Sequence, residues 1–185
     1  MRLVLHYRGL LRANASPTHK HELRRHFHQQ LKKLWSQKPL VEMPAWIQAV
    51  KDPQHHHFLR PMAPFTFAPL VTEEVNAVAE LSLTLLRPEP PGGLITQGGD
   101  IDNRLKSLFD ALAMPRQANA LPTGSIPAAD EDPLFCLLED DSLIVSVSVR
   151  TEQLLEPVSD PSLVDVTIAV RTRVTRNTMD NDVFA

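Results

Sequence analysis

An alternating strand that stops at a proline-rich turn, followed by a glycine pair and an amphipathic helix, sets the strongest constraint on this chain. In residues 77–87, Ala79, Leu81, Leu83 and Leu85 alternate with Glu80, Ser82 and Thr84, the period-two pattern of a strand with one buried face. Pro88-Glu89-Pro90-Pro91-Gly92-Gly93 stops that strand. Gly98-Gly99 then leads into a helix predicted from Asp100 to Ala113, which Pro115 ends. Leu105, Leu108, Phe109 and Leu112 form an apolar stripe on the helix. Asp102, Lys106 and Asp110, at i, i+4 and i+8, form a polar ridge beside it. The stripe fixes that ridge at the edge of a core.

The rest of the chain extends this into one domain over residues 1–176. Leu3, Leu5 and Tyr7 alternate with Val4, His6 and Arg8, which reads as a first strand over 2–8. Ser16-Pro17 supplies an N-cap and a first-turn proline for a helix over 18–35, with Leu23, Phe27, Leu31, Leu34 and Trp35 on its apolar face. Pro39, Pro44, Pro53, Pro61, Pro64 and Pro69 make 36–72 an irregular, proline-rich insertion with room for one short helix near Ala45–Val50. Residues 115–135 read as an exposed, mobile loop. Strands follow over 143–150, with Val145, Val147 and Val149 inward, and over 163–174, with Val164, Val166, Ile168, Val170 and Val174 inward. The tail, 177–185, is polar and expected to fray. The order is that of an α+β domain: a small mixed β-sheet with helices packed on one face.

Composition narrows the function. With 185 residues and 43% hydrophobic content the chain builds a real core, but 5% aromatic content leaves little for a base-stacking platform. The single cysteine, Cys136, forms no intramolecular disulfide and no zinc ribbon, and reads as a core residue in a reducing compartment. Neither a signal pattern nor a membrane-length apolar run is present, so a cytoplasmic protein with no membrane partner is expected. The net charge is −3, yet charge is segregated: Lys20, Arg24, Arg25, Lys32, Lys33 and Lys38 lie near the start and Arg171, Arg173 and Arg176 near the end. Acids concentrate in 130–141 and 152–165. This fits polyanion binding around a metal site, and equally an ordinary solvated surface.

Asp100 stands at the predicted helix start, where free N–H groups and the helix dipole favour a carboxylate. Asp100 and Asp102 repel unless a cation lies between them. Mg²⁺ prefers oxygen ligands and keeps several waters, so two or three carboxylates suffice. Bound there, it would polarise a scissile phosphate and activate a water, with Lys106 one turn on to contact the phosphate. Glu139-Asp140-Asp141 supplies a second acidic knot before a strand. The other reading is that Asp-x-Asp-Asn is a helix cap and the second knot a solvated turn. His19, His21, His26 and His28 read as part of a solvated basic helix face, although His21 and His28 also have a two-turn spacing that zinc would accept. His55-His56-His57 carries no assigned role.

Asp100-Ile101-Asp102-Asn103-Arg104-Leu105-Lys106, then Phe109-Asp110-Ala111-Leu112, then Asp140-Asp141 before a valine-rich strand, resembles the RusA-like Holliday-junction resolvases. The match runs from roughly 79 to 151. The resemblance implies a homodimeric, Mg²⁺-dependent (or Mn²⁺-dependent) endodeoxyribonuclease that cuts branched DNA. It implies Asp100, Asp102 and Asp141 as catalytic metal ligands, with Asp140 beside them and Lys106 as the essential lysine. Arg104, Lys106, Arg24, Arg25 and Lys32 are then the expected DNA contacts. The insertion 36–72, the long 115–135 loop and the low basic charge depart from that pattern. The rivals are a catalytically inactive relative that binds branched DNA or a protein partner, and a small α+β interaction protein whose acids are only caps and turns.

Overall fold

The computed structural model describes residues 1–48, 55–90, 101–178 and 181–184. It is a mixed α+β fold with strands β1 (Arg2–Leu10), β2 (Arg60–Met62), β3 (Phe65–Val71), β4 (Ala77–Arg87), β5 (Leu134–Leu138), β6 (Ile144–Gln153) and β7 (Leu163–Val174), and helices α1 (Pro17–Trp35) and α2 (Ile101–Leu112). A four-stranded sheet has the order β1-β7-β4-β6, antiparallel except for the parallel β4/β6 pair. A three-stranded sheet has the order β2-β3-β5, with β3 and β5 parallel.

The alternation in β4 and β7 does what its period dictates. Leu81, Leu83 and Leu85 with Val164, Val166, Ile168 and Val170 are buried on one face and join Leu23, Phe27 and Leu31 of α1 and Leu108 and Leu112 of α2 in the main core. Ser16 caps α1 by accepting from the His19 N–H at 3.3 Å, and Pro17 takes the first turn. The helix packs on β5, α2 and β1. Among the described residues no helix is long and apolar enough to cross a membrane.

Four expectations need correction. First, 36–72 is not an irregular insertion: it contributes β2, β3 and two 3₁₀ turns, Leu40–Glu42 and Pro44–Ile47. The Phe65–Val71 run is buried on both sides, so it shows no alternation to betray it. Trp46 stacks on Phe58 at 4.9 Å and on Phe184 at 5.9 Å, which joins this segment to the core. Residues 49–50 of the expected short helix lie outside the described residues.

Second, the 115–135 segment is tied down. Leu121 packs with Phe65, Phe67, Leu134 and Cys136 in a second apolar cluster, and buried Glu131 pairs with Arg25 at 2.7 Å. Its last residues are the start of β5. Third, the tail does not fray throughout. Phe184 is fully buried, and Asn181 donates to the Val75 carbonyl at 2.8 Å.

Fourth, Val145, Val147 and Val149 are 54%, 44% and 37% exposed. Val147 and Val149 share the core-side face of Leu81 and Leu83 by register, but β6 is an edge strand that no described helix covers.

The α1 histidines divide in a way their spacing did not reveal. His28 is fully buried, its Nδ1 accepting from the Phe135 N–H at 2.9 Å and its Nε2 bonding the Asp130 carbonyl at 3.1 Å. His21 is 3% exposed against the Phe65 ring, and neither ring nitrogen has a hydrogen-bond partner among the described residues. Burial, helped by Arg24 and Arg25, pushes its pKa down to about 4. The neutral ring is therefore the folded form. Its stability contribution is complete above about pH 6.5, the unfolded value, and is lost as pH falls towards 4, by at most about 3 kcal/mol. The urea midpoint should fall between pH 7 and pH 4.5, and His21→Leu should shrink that fall. An unchanged pH profile in the variant would contradict this role for His21.

Candidate acidic site

Two features place the ends of the site. Helix α2 carries its polar ridge alongside the core, and its C-terminal end runs beside the end of β5. The Met114 N–H donates to the Leu138 carbonyl at 2.9 Å. Asp140 then caps a 3₁₀ turn, Asp141–Leu143, by accepting from the Ser142 N–H at 2.9 Å. That turn packs against α2.

Asp110, at the end of the ridge, and Asp140-Asp141 are thereby brought around one cavity of about 170 Å³, which Lys20, Arg24 and Arg116 also line. Every carboxylate there faces a cation. Lys20 Nζ meets Asp110 Oδ2 at 2.6 Å. Arg116 forks onto Asp140, with Nε to Oδ2 at 2.8 Å and Nη2 to Oδ1 at 3.0 Å, and reaches Asp141 Oδ1 at 2.5 Å. Hydrogen bonds from Ser142, with Arg116 adding to them, hold the Asp140 carboxyl down at about 2. Asp140 is thus ionised at neutral pH.

Asp102 and Lys106 are exposed on the same ridge but do not line the cavity. Asp102 stands two turns from Asp110, about 12 Å along the axis at 1.5 Å per residue. Asp100 lies outside the described residues, as do Gly98 and Gly99. The acidic knot divides: Glu139 points instead to the second sheet, where it takes Arg60 Nε at 2.5 Å and the Glu73 N–H at 3.2 Å.

Most cations expected on DNA are used inside the protein. Arg24 is 3% exposed and donates to the Ala113 carbonyl at 2.9 Å and the Asp110 carbonyl at 2.7 Å, satisfying the last turn of α2. Burial pulls its guanidinium down to about 10. Arg25 binds Glu131 and the Ile126 carbonyl, and Lys32 binds Asp130. Arg104 is 3% exposed, in the fields of Arg87, Glu89 and Asp160. Cys136 is buried and its thiol is pushed up to about 12, so it is no nucleophile.

Arg116 is the site residue that sequence reading missed. A single arginine after Pro115 in a proline-rich segment carries no periodic or motif signal.

The donor set is all carboxylate oxygen, which suits a hard divalent cation. In this conformation Arg116 supplies the countercharge instead, and no group of three or more His, Cys, Asp or Glu side chains among the described residues is arranged around a common metal position. No protein-family model, curated protein or solved structure matches the chain.

Arg24 should prove structural. Arg24→Met leaves two buried carbonyls unpaired and should cost about 2–4 kcal/mol in urea unfolding. Lys32→Met, which breaks a half-exposed pair, should cost under about 1 kcal/mol. Equal, small losses would mean that Arg24 does not hold the helix end.

Proposed function

We propose that this chain is a Mg²⁺-dependent, structure-selective endodeoxyribonuclease of the RusA-like type, acting on branched DNA as a cytoplasmic homodimer. The observation that carries the reading is the convergence of Asp110, the inner end of the α2 ridge, with the Asp140-Asp141 turn around one charged cavity. These acids are distant in sequence, and their meeting supports a shared task. The contact between α2 and the 141–143 turn supports it further.

In this reading Asp100, Asp102 and Asp141, with Asp140, would hold the cation, and Asp110 lies at the inner end of the ridge. The cation supplies phosphate polarisation and an activated water when bound. Lys106, exposed one turn from both Asp102 and Asp110, meets the scissile phosphate and offsets its charge. Arg116 must leave Asp140 and Asp141 for them to serve as ligands. Its side chain is 69% exposed, so swinging into water costs little burial. A homodimer fits the need for two cuts related by a two-fold axis.

The second reading, a catalytically inactive relative that binds branched DNA or a protein partner, is favoured by one observation. Arg116 neutralises Asp140 and Asp141 within the chain itself. One assay separates the readings: a four-way junction and a linear duplex with Mg²⁺ or EDTA, beside Asp102→Asn and Asp141→Asn. Junction cleavage that needs Mg²⁺ and falls at least about a hundredfold in each variant supports the enzyme. Binding without cutting supports the relative, and neither leaves the interaction protein.

Asp102→Asn should cost no more than about 1 kcal/mol of stability, because Asp102 is an exposed first-turn acid. If thermal melting shows the variant unfolded, Asp102 is a cap. Arg116→Ala should enlarge the rise in melting temperature produced by Mg²⁺, since it removes a competing cation. A smaller rise would argue against metal binding at Asp140-Asp141.

A further inference from the structure

The face of the four-stranded sheet turned away from α1 and α2 carries the cations that the site leaves unused. Arg2 on β1 is the register partner of Arg171 on β7, which in turn sits opposite Glu80 on β4. Arg173 lies two residues along β7, on the same face. Partnered residues in a sheet project to the same side, so three guanidinium groups share one corner of this surface.

Among the described residues Glu80 is their single counter-ion, at 2.8 Å from Arg173 Nη1 and 3.8 Å from Arg171 Nη1. Arg2 has no ion-pair partner among the described residues. Like charges directly across two strands are destabilising until an anion lies between them. Hollows of about 430 and 400 Å³ meet at Arg2 and Arg171 and leave room for such an anion.

The rest of the face bears hydroxyls next to this corner and mixed charge farther along, where Arg8, Asp165 and Glu152 share one row across the strands. Ser146 sits beside Glu80, Ser148 beside Ser82, and Thr167 beside Thr84, which has Arg150 on its other flank. All of these residues except Glu80 and Asp165, which are partly buried, are exposed.

We infer that this outer sheet face, centred on Arg2, Arg171 and Arg173, is a contact surface for the phosphate backbone of a nucleic acid duplex. Each arginine presents a fork of donors matched to phosphate oxygens, and serine and threonine hydroxyls are phosphate donors as well. Arg171 and Arg173 are about 6.8 Å apart along the strand, twice the 3.4 Å axial rise per phosphate of one DNA strand. The face displays no Phe, Tyr or Trp, so unpaired bases find nothing to stack on and a duplex fits better than a single strand. Val4 is its exposed apolar side chain of any size, 62% exposed, which is too little to insert into a membrane.

The inference rests on the nuclease reading only for choosing DNA as the polymer, and binding in EDTA tests it without cleavage. Fluorescence anisotropy with a labelled 30-base-pair duplex, over a series of salt concentrations, compares the wild type with Arg2→Ala/Arg171→Ala/Arg173→Ala. The variant should bind at least about tenfold more weakly, and the slope of log affinity against log salt should flatten by about 2.7, for three lost phosphate contacts at 0.9 each. Arg171→Lys/Arg173→Lys should keep the slope, and Lys33→Ala, on the far helix, should keep both slope and affinity. If the triple variant melts early, Arg2→Ala alone should flatten the slope by about 0.9.

An unchanged slope in the folded variant overturns the inference, as does wild-type protein that binds phosphatidylserine vesicles in preference to the duplex. Salt-dependent binding lost in the variant, beside a wild type that cuts nothing in Mg²⁺, overturns the nuclease reading and leaves this surface standing.

Discussion

The buried Arg24 guanidinium is the contact on which the site's geometry depends. It projects from α1 into the space where α2 ends, and its donors take the Asp110 and Ala113 carbonyls. An ion this deep is stabilising only while its hydrogen bonds are made. The bonds fix the last turn of α2 against α1 and so set where the Asp110 side chain emerges. Lys20, one turn earlier on α1, then meets that carboxylate. One helix thus both orients the ridge and neutralises its inner end.

Around that junction the two sheets are held as one body by shared apolar contacts. The main cluster runs from the inner face of β4 and β7 through both helices to Leu70 and Val71 of β3. A smaller cluster lies on the opposite side of β3 and β5, roofed by Leu121. β3 and β5 are therefore buried from two sides, which is why they bring Asp140-Asp141 so firmly to the end of α2. The aromatic group Trp35, Trp46, Phe58 and Phe184 joins the segment before β2 and the end of the chain to the same core.

Charge follows the same division. Cations on α1 face acids of the 115–133 segment and of α2, so they close the fold rather than offer themselves to a ligand. The uncovered sheet face keeps Arg2, Arg171 and Arg173 with one carboxylate among them. A polyanion lying there would be recognised by its backbone, while the acidic cavity opens on the other side of the domain's central sheet. The proposed chemistry and the proposed contact surface thus occupy different parts of the fold.

The strands with one buried face were legible because alternation is a local signature: 77–87 and 163–174 match β4 and β7 almost residue for residue. So were α1, from its Ser16-Pro17 start, and α2, from its apolar stripe. β3 and β5 were not, because a strand buried on both faces has no period to read. The amino-acid order by itself determined the α+β class, the ridge Asp102-Lys106-Asp110 and the presence of a second acidic knot. Only the tertiary structure decided that Asp110 rather than Asp102 lines the cavity with Asp140-Asp141, that Arg116 neutralises that pair, and that Arg24 and His28 are buried. Those outcomes depend on which distant surfaces pack together, and side-chain pairing across packed elements leaves no periodic trace in a single chain.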